Sequence, residues 1–585
     1  MIILGIHVGH NASVFLLDDG VVKAGLSQEK LDDIKNSAAF PADVIRVVLQ
    51  QANLSPEGID HIAIAGHQIY PSRCYDYLFK SQPSDGTTRI GIVGMAHKLK
   101  GALPRALTSI LFAPLLRYRQ NRLLQGGRRE LEENLQRLGL ENIPRTHVEH
   151  HTCHARAAFH ALNGTGPALI FTADGSGDHV SSTVTSVDER GTWKCLGETG
   201  EAASVGGIYS ATTRFLGMRP LEHEYKVMGL APYAKSYADD VYDRVFAPTL
   251  LSRKDKPFGF SSSVDTRQFY EYLVDTAVGE RFDNIAAAAQ RLIEDRVLSW
   301  VESSVAKTGI HRAYFSGGLF MNVKLNKRIQ ELECLENAFF MPSCGDESNA
   351  LGAAYSIALE AGKVKALDNL YLGVAYTPSA IEAQLEESAK DHALEFERPQ
   401  NLTETVAQLL ADGYVVARFS GANEFGARSL GNRAILAHPG RMESFFTIND
   451  QIKQRDFWMP FAPTVLDTSA SLYLENWTME RTPAPHMITA FQSTDKGRVD
   501  LCAAIHRGDG TLRPQVLTRD VNPDYYDLIK AFEGKTKIGA VLNTSLNLHG
   551  KPLAATPSQA LDTLLGSDLN YLVLGPFLVR KTRTD

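Results

Sequence analysis

The residues best suited to chemistry cluster at positions 149–155, which read EHHTCHA. His150 and His154 are four apart and lead into an alanine-rich, helix-favouring run, so they share one helical face and can chelate one divalent ion. A zinc protease would need a glutamate directly after the first histidine as general base; that position is His151, which disfavours this chemistry. A third ligand is required, and the candidate is Asp346 in SCGDESNALG (343–352), at a turn before another alanine-rich run. The competing role for that carboxylate is a helix N-cap. A His/His/Asp set with open positions suits Fe(II) or Zn(II), and ligand type alone does not choose between them.

The elements that must hold these groups have a recognisable rhythm. Residues 1–20 predict a β-hairpin: an apolar run to Val8, a Gly9-His10-Asn11 break, a second apolar run and an Asp18-Asp19-Gly20 turn. Similar short runs recur at 168–172, before the DGSGD of 174–178, and at 313–315, before Ser316-Gly317-Gly318. Between them lie helical stretches such as 285–306, with apolar positions at roughly 3.6-residue spacing. Strands that end in Gly/Asp/Ser loops and alternate with helices indicate an α/β protein with ligands at the strand ends. A polar connection at 362–378, followed by a new helix and a strand at 414–419, marks a domain boundary. The two domains are therefore expected at 1–370 and 371–585.

Bulk properties narrow the class. A chain of 585 residues is too long for one core and fits two large domains. Its 44% hydrophobic and 22% charged content and formal charge of -7 are ordinary for a globular protein, whereas a nucleic-acid scaffold would normally be basic. Cys74, Cys153, Cys195, Cys334, Cys344 and Cys502 show no CxxC spacing, so neither a disulfide framework nor a cysteine zinc site is expected. The first residues lack the pattern of a signal peptide, and no apolar run is long enough to span a membrane, so a cytoplasmic setting with no transmembrane segment is the expectation.

One stretch departs from the acidic average. Between Arg89 and Arg129 there is no Asp or Glu, while Lys98, Lys100, Arg105, Arg117, Arg119, Arg122, Arg128 and Arg129 accumulate among leucines. It reads as an inserted amphipathic helical region at about 86–130, either a solvated face or a docking surface for an anionic acceptor or a membrane.

Along its whole length the chain resembles the O-carbamoyltransferase family that decorates nodulation factors and antibiotics. The matching motifs are GIHVGHNAS (5–13), 29–41, 150–155, 174–178, KVMGLAPY (226–233), SGGLFMNVKLN (316–326) and 345–354. In the second half they are EFGARSLGNRAILA (424–437), KQRDFWMPFAP (453–463), HRGDGTLRPQ (506–515) and NTSLNLHG (543–550). The resemblance implies an N-terminal domain of the actin/Hsp70/sugar-kinase superfold, similar to the tRNA threonylcarbamoyl-transferring metalloprotein. It implies a C-terminal YrdC-like α/β domain, since Lys453-x-Arg455 and Ser545-x-Asn547 resemble the KxR and SxN signature of that group.

The implied activity is formation of carbamoyl-adenylate from carbamoyl phosphate and ATP, with Mg on the ATP, and transfer of the carbamoyl group to a small-molecule hydroxyl acceptor. Lys453, Arg455, Arg428 and Arg433 are the expected cations of the donor pocket, with Ser545 and Asn547 adding directional hydrogen bonds. In the N-terminal domain, His150, His154 and Asp346 are the expected metal ligands. Lys226, Gly317, Gly318 and Asn322 are expected to line the nucleotide, and His10 is the candidate general base. An internal passage between the two sites is expected, because water competes for a free adenylate; a homodimer stays open. Some positions depart from the family pattern: Tyr225 stands for a glycine, Ala427 and Ser429 for proline and alanine, and Trp458-Met459 for Phe-Arg. The lost arginine at Met459 calls for compensation by Arg433 or another cation. Two other readings use the same parts: a tRNA threonylcarbamoylation-type enzyme, disfavoured by the acidic charge, and a non-catalytic nucleotide-binding module.

Overall fold

A computed structural model describes residues 1–74, 105–235, 237–253, 256–453 and 455–582, with side chains outside the description at 105–117 and 252–253. Arg89, Lys98 and Lys100 of the basic stretch lie outside the described residues.

The hairpin expected at the start forms as β1 (Ile2–His7) and β2 (Ser13–Asp18), paired antiparallel from Ile2 opposite Asp18 to His7 opposite Ser13. With β3 (Val21–Ser27), β4 (His61–Ala65) and β5 (Arg145–Val148) they make a sheet of order β3-β2-β1-β4-β5. A second sheet contains β6 (Ala168–Gly177), β7 (Val180–Val187), β8 (Trp193–Gly200), β9 (Arg312–Ser316) and β10 (Asn337–Phe340), in the order β10-β9-β6-β7-β8. The two orders are the same plan used twice. Each half begins with two antiparallel hairpin pairings and then adds two parallel strands beside its first strand. This duplicated arrangement is the topology of the actin/Hsp70/sugar-kinase superfold.

Five helices frame the functional residues: α1 (Arg105–Arg137), α2 (His150–Ala161), α3 (Glu224–Leu230), α4 (Phe282–Thr308) and α5 (Asn349–Glu360). α2 and α5 each come after the last strand of their half and pack on one another. Small residues allow the close approach. A Cβ on Gly352 would collide with the Cys153 carbonyl, and one on Gly5 of β1 with the Ala350 carbonyl. Forcing a methyl into such a contact costs about 1–3 kcal/mol. The aliphatic and aromatic core of this part, from Phe15 and Phe171 to Trp300 and Tyr355, is one continuous cluster that joins both halves.

The rest of the chain is built on an eight-stranded mixed sheet. Its strands are β11 (Leu394–Glu397), β12 (Val416–Phe419), β13 (Arg433–Ala437), β14 (Ala462–Leu466), β15 (Gln515–Leu517), β16 (Ala540–Ser545), β17 (Tyr571–Leu574) and β18 (Phe577–Lys581). They run in the order β11-β18-β17-β12-β13-β16-β14-β15. This unit is seated firmly on the first. The backbone pairs Gly373 with Asn423 and Phe425 with Leu370, Asn326 Nδ2 donates to the Ile488 carbonyl, and Lys324 pairs with Asp509. No helix among the described residues is long and apolar enough to cross a membrane.

Candidate metal centre and buried cation cluster

α2 starts where Glu149 caps it: the carboxylate accepts from the amides of His151 (2.9 Å) and Thr152 (2.7 Å), satisfying donors a helix start leaves open. The capped start fixes His150 and His154 one turn apart, as the spacing predicts. His151 faces the other way and is a satisfied core residue, bonded to Thr172 Oγ1 (2.8 Å) and the Val180 carbonyl (3.0 Å).

Two carboxylates converge on the pair. His154 Nε2 lies 3.2 Å from Asp174 Oδ2 and 3.4 Å from Asp346 Oδ1. His150 Nε2 lies 3.9 Å and 3.6 Å from the same two atoms. All four ligand atoms fall within 4.8 Å of one another. His150 Nε2 and Asp346 Oδ1 are buried with no hydrogen-bond partner among the described residues, which is the condition of groups arranged to hold an ion. Two nitrogens and two carboxylates therefore fit a divalent metal.

The electrostatics agree. Burial opposes charge on His154, yet its bonds to Asp174 and Asp346 overcome this and raise its pKa to about 9. His150 is raised as well: burial works against it, and Asp346 and Asp174 outweigh burial. Burial works against both carboxylates, and the histidines more than offset it, holding Asp174 and Asp346 low. Asp174 is the candidate ligand that sequence reasoning missed. It stood in the quoted DGSGD motif, at the end of an apolar run, but nothing local ties that strand end to a helix of the preceding half.

Further contacts brace the cluster. The Asp178 carboxylate accepts from the amides of His67, Gln68 and His150, tying the start of α2 to the loop after β4. Asn349 Nδ2 lies 3.4 Å from His150 Nδ1, and Ser316 Oγ lies 3.3 Å from His154 Nδ1. Gly317, at φ 103°, brings its backbone against Ala173, and the Gly318 amide donates to Asp174 Oδ2 at 3.3 Å. His10 sits at the rim, its Nδ1 4.0 Å from Asp346 Oδ2 and its carbonyl accepting from His7 Nε2.

The duplicated fold gives the site an internal symmetry. The C-terminal side of the first strand of each half supplies one neighbour, His10 in the loop after β1 and Asp174 within the last part of β6. The segment after the last strand of each half supplies the others: His150 and His154 on α2, and Asp346 just before α5.

The second constellation is all positive. Lys453 is 1% exposed and donates to the carbonyls of Ser545 (2.5 Å) and Asn547 (2.8 Å) and to the Asn547 side chain. The KxR and SxN residues are therefore in direct contact, and Ser545 Oγ donates to Asn547 Oδ1 at 2.8 Å. Burial, then Arg455 and Lys35, push the Lys453 pKa well below the usual range. Burial lowers Arg428 to about 10; Arg455 adds to that effect, and Cys344, Tyr225 and Glu347 oppose it. Arg513 is pushed down by burial and by Arg428 and Arg455. Arg428 Nε and Arg513 Nη1 have no hydrogen-bond partner among the described residues. None of these four cations has a carboxylate within ion-pair distance among the described residues. A buried lysine among half-buried arginines, like charges without acidic partners, is an arrangement chemically suited to an anion.

Two expectations for the donor pocket change. Arg433 is fully buried, but its guanidinium is spent on four carbonyls, those of Ser420, Asn432, Val374 and Gly421, and stacks 3.5 Å from the Phe419 ring centroid. It braces a loop, and Arg513 is the additional cation instead. Met459 is buried where an arginine was expected because its sulfur packs against Gly229 of α3. Lys226 pairs with Asp456 across the two units at 3.0 Å. Asn322 caps a helix at the Leu325 amide and exchanges amide bonds with Gln290, so its polar atoms already have partners. Lys35, also missed from sequence, carries positive charge from the first unit toward Lys453 and lies 5.7 Å from the Tyr225 ring centroid.

The two constellations meet at one loop. Gly426, at φ 95°, presses on Ser343, and Arg428 lies within electrostatic reach of Cys344 and Glu347, the neighbours of Asp346.

Fold and sites together define a two-part, metal-competent protein with a cluster of cations joined to an actin/Hsp70-type body. The chain belongs to the carbamoyltransferase family: the model of the carbamoyltransferase N-terminus matches residues 2–355 and that of the C-terminus matches 407–581. It is 29% identical to nodulation protein NolNO of Sinorhizobium fredii over 98% of this chain and 79% of that protein. It is 33% identical to nodulation protein NolO of Bradyrhizobium diazoefficiens over 74% of this chain and 79% of that one. An uncharacterised protein of Methanocaldococcus jannaschii, MJ1051, is 27% identical over 99% of this chain and 100% of its own length. The protein is a carbamoyltransferase enzyme.

Proposed function

We propose that the chain is an ATP-dependent O-carbamoyltransferase with two cooperating sites, one in residues 1–370 and one in 371–585. Carbamoyl phosphate, ATP and one water give carbamoyl-adenylate, pyrophosphate and phosphate at Arg428, Lys453, Arg455 and Arg513. The acceptor hydroxyl oxygen then bonds to the carbamoyl carbon beside His150, His154, Asp174 and Asp346, and AMP leaves. The observation that carries this reading is a set of four cations, Lys453 buried and Arg428, Arg455 and Arg513 half-buried, with no carboxylate within ion-pair distance among the described residues and set against the loop that bears Asp346.

Each group has a task set by its surroundings. The arginines offer forked donors to phosphate oxygens, and Lys453, positioned by Ser545 and Asn547, offers a point charge to the donor. Burial excludes the water that would consume a mixed anhydride. A metal ion, Fe(II) or Zn(II), held by the two histidines and two aspartates would supply fixed positive charge where negative charge develops. His10, at the rim beside Asp346, takes the proton of the acceptor hydroxyl. Mg accompanies ATP. The shared loop 343–347 gives the adenylate an internal route, which limits its exposure to solvent. The acceptor is a small-molecule alcohol of the natural-product or sugar type.

The test is mass-spectrometric detection of carbamoyl-adenylate and pyrophosphate from protein supplied with ATP, Mg and carbamoyl phosphate, with and without an alcohol acceptor. The wild type and Asp346→Ala should both form the adenylate, and Lys453→Ala should not. Loss of the adenylate in Asp346→Ala but not in Lys453→Ala would overturn the assignment of the two sites.

A further inference from the structure

His7 is a buried polar group beside the metal centre to which the reaction described so far gives no task. It ends β1, the central strand of its sheet, where it pairs with Ser13 of β2 on one side and Ala65 of β4 on the other. A strand end of this kind is where α/β proteins hold their ligands. The loop that follows turns back through Gly9 at φ 120° and Asn11 at φ 59°, which brings the His10 carbonyl to 3.0 Å from His7 Nε2. The strand after the loop is pinned across the site, because Ser13 Oγ donates to the Glu347 carbonyl at 2.7 Å.

The contact with the carbonyl fixes the tautomer. A carbonyl oxygen only accepts, so Nε2 carries the proton, and in the neutral ring Nδ1 is then a bare acceptor. Nδ1 is buried, in a residue 6% exposed, and has no hydrogen-bond partner among the described residues. A second proton there would bury a charged ring with an orphaned donor, which is costlier still. Asp346 and His150 lie within electrostatic reach of the ring, yet His7 stands outside the group of four whose ligand atoms fall within 4.8 Å of one another. It is a neighbour of the ion's place that offers an acceptor to whatever is bound there.

The chemistry of the transfer names the donor. A carbamoyl group ends in an –NH2 with two N–H donors, where an acetyl group of nearly the same size ends in a methyl. Its carbonyl oxygen gathers negative charge and belongs beside the two histidines and two aspartates, and the acceptor hydroxyl gives its proton to His10. The N–H groups remain to be satisfied. We propose that His7 Nδ1 accepts a hydrogen bond from the carbamoyl –NH2 at the metal centre and so selects a carbamoyl group over an acyl group of the same shape. This assignment rests on the siting of the transfer step under the proposed function. A site built to bond a polar group discriminates against the analogue that lacks it, because the analogue leaves the buried acceptor unpaired.

The experiment compares two stable analogues of the adenylate in which a sulfamoyl link replaces the phosphate, one N-carbamoylated and one N-acetylated, so that they differ only by –NH2 against –CH3. Binding of each to the full chain loaded with Zn(II) is measured by calorimetry in a Lys453→Ala background, which removes the other adenylate site. The carbamoyl analogue should bind about tenfold more tightly. His7→Gln keeps a donor for the His10 carbonyl but removes the acceptor, and should bring the two affinities within about twofold of each other. His7→Asn puts an amide oxygen near the place of Nδ1 and should keep most of the preference. The readout is a ratio of two ligands on one protein, so a general loss of fold or of metal, checked by elemental analysis, moves both ligands together and does not imitate it. Equal binding of the analogues by the protein with His7, or a preference unchanged in His7→Gln, would overturn the proposal. Binding that Asp346→Ala leaves untouched, or no binding of either analogue, would overturn the siting of the transfer step and the proposal with it.

Discussion

The two functional regions are built on opposite electrostatic principles. At the metal centre, acids and bases interleave, so the cluster is nearly self-neutralising, and His154, with its pKa raised to about 9, holds a proton that a metal must displace. At the cation cluster, Lys453, Arg428, Arg455 and Arg513 stand together with no carboxylate within ion-pair distance among the described residues, so a bound anion would balance their charge. The first region is neutralised by internal ion pairing; the second would be neutralised by a bound anion. Ligand should therefore stabilise the second far more steeply than the first.

The largest effect expected is from Asp346→Ala. It removes the carboxylate nearest His150 and one of the two beside His154, and metal affinity should fall by more than about a hundredfold, as read by elemental analysis after dialysis. Retention of metal would show that Asp174 suffices and that Asp346 belongs to the other region. Next comes Lys453→Ala, which removes a buried charge that an anion would meet. A loss of about 2–5 kcal/mol in carbamoyl phosphate affinity, measured by calorimetry, is expected, with metal content unchanged.

The contrast between the regions also has a pH signature. The pKa of His154 in the metal-free fold is raised to about 9 from its ordinary 6.5. Its contribution to stability is complete below that ordinary value and disappears as pH rises through about 9. Because a histidine ligates only when neutral, metal binding at pH 7 should release a proton, and affinity should climb with pH up to about 9. Titration calorimetry in buffers of different ionisation enthalpy counts that proton; no release would mean the carboxylates do not hold it.

Smaller effects test the supports. Asp178→Asn should lower metal affinity by roughly tenfold, because the carboxylate that ties the start of α2 to the loop after β4 is halved in acceptor capacity. Lys226→Met breaks a partly exposed ion pair between the units and should cost under about 1 kcal/mol of stability in denaturant titration. A much larger loss would mean that α3 holds the two regions in register.

How much could be read from the sequence depends on how far each signal reaches along the chain. His150 and His154 were legible because one helical turn fixes their relation, and Asp346 because its turn precedes a second alanine-rich helix. The hairpin at residues 2–18 and the long helix around 285–306 were legible from periodicity, and appear as β1–β2 and as α4. Lys453 and the SxN residues came from resemblance, and their contact is direct. Asp174 was not legible as a ligand because only the closure of two sheets brings it to α2. Arg433 was misread because residue type shows that a cation is present but not that four carbonyls already surround it. Arg513 was overlooked for the converse reason: a loop arginine looks ordinary until its neighbours prove to be other cations.

The doubled strand order carries a historical implication. Two identical halves related by a twofold axis would place matching loops and matching helix starts around that axis in pairs. An ancestral homodimer of one half would already have had a symmetrical hollow at the place where the ligands now converge. In this chain the matching positions differ: one half carries histidines on its helix, and the other carries carboxylates at its strand end and helix entrance. The asymmetry that makes chemistry directional is thus a matter of a few side chains written onto a frame that has none.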